Sequence, residues 1–206
     1  MNNPMPPPPV DPNDPMARVK DASRDAFQTF MRLIYNPVGA LASSYQALSG
    51  QQALAVGLVF MAVWLLCSLI GGAMGFNAMG MPFSLGSLSF SYKIRGALIL
   101  LCVPAGLTLG LFLARAVARG AGSLSLDVFV AGASLLMLGF AALIGGLLGY
   151  QVQMLLTLVA LTLAVLVIFT SLSRISAIAE GLAAYLVAGV LVIAALIVRI
   201  ATSLLF

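Results

Sequence analysis

The sequence predicts an all-α, polytopic membrane protein: five transmembrane helices in one bundle, preceded by a cytosolic amphipathic leader. Two observations carry this. Hydrophobic residues make up 62% of the 206-residue chain and charged residues 8%, a balance that no soluble domain of this length keeps in solution. The stretch from Val128 to Ser173 contains no charged residue. As one helix it would measure about 70 Å at roughly 1.5 Å per residue, more than twice the roughly 30 Å of hydrocarbon in a bilayer, so it must fold back.

In chain order, residues 1–21 read as a disordered tail, because Pro4, Pro6 to Pro9, Pro12 and Pro15 remove backbone donors and restrict their predecessors. A plain spacer is the simpler reading, and docking of the proline run on an aromatic groove the richer one. Residues 22–50 read as amphipathic interfacial helices, lying in the headgroup plane or packing beneath the bundle ahead of the first crossing. Phe27, Phe30, Met31 and Ile34 share one face, while Arg24, Asp25, Gln28 and Arg32 take the other. Asn36-Pro37 breaks this pattern, and a second helix from Pro37 presents Val38, Leu41, Tyr45 and Leu48.

Residues 51–206 form the membrane domain, with crossings expected at about 53–75, 97–114, 128–149, 154–172 and 181–205. Residues 76–94 read as an apolar surface loop. Its thioethers, Met74, Met79 and Met81, lack the His or Cys that usually completes a soft-metal site. Pro104 should bend the second crossing. Gly106 and Gly110 form a GxxxG pair there, and Gly145 and Gly149 repeat the spacing at the end of the third. Such pairs favour close helix packing first and dimerisation second. Tyr150 to Gln153 is the polar break that turns the chain between crossings three and four. No signal peptide precedes the first crossing, which is expected to act as its own uncleaved signal.

The residue inventory excludes more chemistry than it suggests. Histidine is absent, and the acidic residues are Asp11, Asp14, Asp21, Asp25, Asp127 and Glu180. No GxSxG, HExxH or phosphate-binding glycine motif occurs. No catalytic residue, cofactor or metal is therefore expected. The net charge of +4 is spread singly over segment ends, which points to lipid headgroups rather than nucleic acid. Cys67 and Cys102 fall inside apolar segments and read as small hydrophobes. Arg115, Arg119, Arg174 and Arg199 are expected at the membrane interface, Arg199 by stretching its stem outward. With the N-terminus inside, Arg18, Lys20, Arg24, Arg32, Arg115, Arg119 and Arg174 are cytoplasmic, and Lys93, Arg95 and Arg199 are not.

The segment Phe30-Met31-Arg32-Leu33-Ile34-Tyr35-Asn36-Pro37, the loop Arg119-Gly120-Ala121-Gly122-Ser123-Leu124-Ser125 and the stretch Ser171 to Ile178 complete a familiar layout. It resembles the Yip1 family, in particular its bacterial branch, over about residues 28–205. The chain lacks the Asp-Leu-Tyr-Gly-Pro sequence of eukaryotic members and the proline often found in their third crossing. The resemblance implies the five-helix fold and a non-enzymatic role in membrane organisation or trafficking, in a bacterial cytoplasmic membrane. It transfers no functional residue. The partners expected are the lipid bilayer and other membrane proteins, or self-association through small-residue helix faces. The alternative is a small oligomeric transporter or channel subunit, with Ser68, Thr108, Ser134, Gln153, Thr157, Thr162 and Thr170 as the available lining.

Overall fold

In a computed structural model, residues 15–36, 39–78 and 90–205 are described. They form α1 (Pro15–Tyr35), α2 (Gly39–Ala47), α3 (Gly50–Ala78), α4 (Phe90–Val117), α5 (Leu124–Leu148), α6 (Tyr150–Thr170) and α7 (Glu180–Leu205). A π-helical turn, Ser171–Ile175, extends α6. No strand occurs among the described residues. Among the described residues, five segments are long and apolar enough to cross a membrane: Gly50–Gly71, Ile94–Val117, Leu124–Leu148, Tyr150–Ile175 and Glu180–Leu205.

Local caps set the early boundaries. The Asn36 Oδ1 accepts the Gly39 N–H at 2.8 Å and starts α2. Ser49 and Gln52 form a reciprocal capping box, with Ser49 N–H to Gln52 Oε1 at 2.9 Å and Gln52 N–H to Ser49 Oγ at 3.3 Å. That box satisfies orphan donors at the head of α3 and starts it at Gly50, ahead of the expected position 53.

The bundle is organised around α5, of which 61% is buried against 22–33% for the other four spans. Its main partner is α3. Gly57 lies against Val128, Phe129 and Gly132, Trp64 against Gly139, and Gly71 against Ala142 and Gly146. The pairs rise together along both helices, so α3 and α5 run parallel, with α4 as the return between them. Gly132, Gly139 and Gly146 recur every seventh residue. That period of 3.5 per turn keeps one seam facing a partner along its whole length. A Cβ at Gly139 would fall 2.9 Å from the Trp64 Cα, and one at Gly146 2.5 Å from the Gly71 carbonyl oxygen. Only glycine permits this approach. Lipid gives helices no hydrophobic reason to associate, so close van der Waals packing must supply the attraction.

Antiparallel to this pair, α4 packs chiefly on α7, touches α5, and barely meets α3. A Cβ at Gly106 would lie 3.0 Å from the Ala194 Cα, and one at Gly110 3.0 Å from the Val190 carbonyl oxygen. The GxxxG pair is thus consumed inside the chain, which removes it as a dimer surface.

The turn between crossings three and four differs from the expected one. Tyr150 to Gln153 is the first turn of α6, and the reversal falls on Gly149 alone, with φ 104° and ψ 165°. This region is open in practice only to glycine. Gly149 is therefore no packing residue: nothing lies within 4 Å of where its Cβ would be, whereas Gly145 meets Gln153 across the hairpin, 2.6 Å from its Cβ. Gly149→Ala should cost about 1–3 kcal/mol through backbone strain alone. Equilibrium unfolding in mixed micelles, with Gly96→Ala as the unstrained control, reads that loss.

Two further expectations need correction. At the edges of the loop expected at 76–94, residues up to Ala78 belong to α3 and those from Phe90 to α4. Met79, Met81, Pro82 and Phe83 lie outside the described residues, as do Pro37, Val38 and positions 1–14. The leader helix begins at Pro15, in the first turn where proline is tolerated, so residues 15–21 of the expected disordered tail are helical. Its buried face is Ala26, Thr29 and Leu33 with Phe30, while Phe27 and Met31 are exposed. Phe30 stacks on Phe140 at 5.1 Å between ring centroids. Of the two placements expected for it, the leader takes packing against the bundle, along α3 and onto Phe140 of α5. α2 follows, burying Leu41 completely and setting Tyr45 5.9 Å from the Phe129 ring.

Candidate functional site

The C-terminus of α4, the N-terminus of α5 and the end of α6 meet at one end of the bundle, and the polar side chains gather there. Arg115, in the last turn of α4, reaches across the loop to Asp127 in the first turn of α5. Its Nη2 donates to Asp127 Oδ2 at 2.6 Å and its Nε to Oδ1 at 3.2 Å, a bidentate pair. Its Nη1 donates to the Gly122 carbonyl at 3.0 Å. The Arg115 and Asp127 side chains are only 12% and 4% exposed. Their placement also follows helix polarity, since a cation favours a helix C-terminus and an anion an N-terminus.

The loop between the two helices is drawn tightly over this pair. Arg119 takes φ 54° and Gly122 φ 134°. The Ala121 N–H donates to the Ser176 carbonyl at 3.0 Å, joining this loop to the one between α6 and α7, where Ala177 also takes φ 54°. The Tyr45 hydroxyl lies 3.3 Å from Ser123 Oγ, which is 2.7 Å from Ser125 Oγ, so α2 is tied to the same loop. Backbone strain of this kind, about 1–3 kcal/mol per residue, persists only where surrounding contacts over-determine it.

Of the arginines expected at the interface, Arg119 and Arg174 are exposed at this end, and Arg199 is exposed near the opposite one. Arg115 is not: it is an ion-pair partner, buried because Asp127 and Gly122 satisfy it more fully than water at a lipid surface. Cys67 and Cys102 are both free thiols. Among the described residues no three His, Cys, Asp or Glu side chains converge.

Beside the ion pair, a cavity of about 570 Å³ opens between α3, α4 and the start of α5. Its lining runs along α4 from Leu101 through Pro104, Ala105 and Thr108 to Phe112, faced by Leu58 and Met61 of α3 and by Leu124 and Val128 of α5. The Arg115 guanidinium stands 5.7 Å from the centroid of the Phe112 ring, at the charged end of this groove.

Two parts of this arrangement escaped the sequence reading. The Arg115–Asp127 pair could have been suspected from opposite charges flanking a short glycine loop. The α3–α5 seam could have been suspected from glycine spacings of seven. Comparison with protein-family models, with curated proteins and with solved structures gives no match.

Proposed function

We propose that the chain is a non-enzymatic, Yip1-like integral membrane scaffold or adaptor, presenting its outer helix faces to lipids and to other membrane proteins. The observation that favours this is the outward surface of α6 and α7. Leu155, Leu158, Val159 and Leu161 of α6, with Leu182, Val192, Leu196 and Ile200 of α7, stand exposed, while a different face of each helix, Ala160, Ala164 and Val167 of α6 and Ala183, Val187 and Val190 of α7, enters the core. The bundle thus offers two apolar faces without needing either for its own packing.

Two of the hydroxyls available for a transport path are already engaged by their own helices. Ser134 is fully buried and spends its hydroxyl on the Val130 carbonyl at 2.8 Å. Thr162 bonds the Leu158 carbonyl at 2.9 Å on an exposed face. Such back-bonding is the ordinary fate of hydroxyls on helices. Arg115 and Asp127 satisfy one another, which argues against their acting as a proton relay. The orientation that accompanies this reading has the Arg115, Arg119 and Arg174 end in the cytoplasm of a bacterial cell and the C-terminus outside.

Photo-crosslinking residues placed at Leu158 and Val192 test the scaffold role in native membranes. Discrete adducts to another protein are expected. Adducts to lipid alone, together with solute flux in liposomes holding only this chain, would replace it with the transporter reading. A reporter fused after Phe206 that is active only in the cytoplasm would reverse the orientation.

A further inference from the structure

The groove beside Arg115 has three properties that together specify an occupant. Its volume, about 570 Å³, falls within the roughly 300–1,000 Å³ of small-molecule sites. Its lining is apolar side chains with the single hydroxyl of Thr108. Its length is that of one leaflet: Leu101 to Phe112 spans about 16 Å at 1.5 Å per residue, near half of a roughly 30 Å hydrocarbon core.

Both flanks belong to membrane-spanning segments, so the groove is bathed in acyl chains and closed to water. It persists because α4 leans on α7 and meets the rest of the bundle mainly at α5, leaving a wedge against α3. At its charged end sits a guanidinium with capacity to spare. A guanidinium has five N–H donors, and Arg115 commits three of them, two to Asp127 and one to Gly122. Arg119 stands exposed on the same loop. Arginine donors match phosphate oxygens in charge and in geometry.

We propose that this groove is a phospholipid site. One acyl chain of a near-leaflet phospholipid lies along α4 from Phe112 to Leu101, and its phosphate accepts from the remaining donors of Arg115 and from Arg119. The site stands on the membrane-spanning fold and is independent of the scaffold role, so failure of the protein crosslinks above leaves it standing.

The purified full-length chain, reconstituted in phosphatidylcholine vesicles with a trace of phosphatidylglycerol carrying an acyl-chain diazirine, provides the test. Adducts are expected on the peptides holding Leu58 to Met61 and Leu101 to Phe112. Ala105→Trp, which fills the groove, should reduce them about tenfold, equivalent to about 1.4 kcal/mol. Leu158→Trp on the outer face of α6 should not. Arg119→Gln should weaken labelling by this anionic tracer more than by a phosphatidylcholine tracer. Leu109→Trp on the exposed rim repeats the blockade should Ala105→Trp elute as misfolded material. Adducts spread evenly over α6 and α7 and indifferent to both tryptophans would overturn the site, leaving only annular lipid. Disulfide-linked dimers formed by a Leu109→Cys chain on oxidation in the same vesicles would also overturn it, by giving the groove to a second copy of the chain.

Discussion

Gly132→Leu is expected to yield no folded monomer in detergent, and Gly132→Ala a folded but severely weakened one. At Gly132 a Cβ would collide with the Gly57 carbonyl oxygen, and the reciprocal Cβ at Gly57 would fall 2.7 Å from the Val128 carbonyl oxygen and 2.8 Å from the Phe129 Cα. These obstacles are backbone atoms of a helix, which cannot rotate aside as a side chain can. The two helices must separate, and the separation is felt at Gly139 and Gly146 along the same seam. Overpacking of a closed core costs about 1–3 kcal/mol when side chains can yield, so the alanine variant should lose at least that much in equilibrium unfolding. Gly189→Leu is the matched control, since nothing lies within 4 Å of the Cβ position there, and it should unfold like the parent. A Gly132→Leu chain that eluted and unfolded normally would show that the α3–α5 seam does not hold the bundle together.

How much of this was legible in the sequence follows from what a bilayer rewards. The charge-free run from Val128 to Ser173 was enough to demand two crossings, because no helix of that length fits one hydrocarbon layer. The faces of those helices were not legible, since lipid tails and a protein core accept the same leucines, and hydrophobicity stops reporting which side is buried. Phe27 and Met31 therefore look like the natural packing face of α1. The structure buries Ala26 and Thr29 beside Phe30 and Leu33 instead, because small residues let α1 approach α3. The seam glycines were missed for a related reason. Pairs four apart stand out within one segment, whereas a period of seven on two segments becomes meaningful only once they are known to be neighbours. Gly149 was overshadowed by Tyr150 to Gln153, whose polarity marks a membrane surface while the reversal itself requires the positive φ. Asp127 lies one residue ahead of the expected start of crossing three and in the first turn of α5, but no local pattern tells that Arg115 reaches it.

That reach makes the second large effect. Asp127→Asn keeps the shape of the side chain and removes its charge, leaving Arg115 enclosed with only the Gly122 carbonyl and a neutral amide for company. Breaking one partner of a buried pair costs about 3–5 kcal/mol, most of it the penalty of an uncompensated charge rather than the worth of the pair itself. Asp127→Asn and Arg115→Met should each fall in that range when unfolding is followed in mixed micelles. The double variant Arg115→Met with Asp127→Leu should recover most of the loss, because it leaves no charge behind and fills the space with apolar atoms. Single losses that simply added in the double variant would mean the two residues act separately. The geometry argues otherwise: three hydrogen bonds from one guanidinium tie the end of α4, the loop and the start of α5 into a single joint. With α3 barely touching α4, that joint and the contacts with α7 set where α4 stands, and so set the width of the groove beside it.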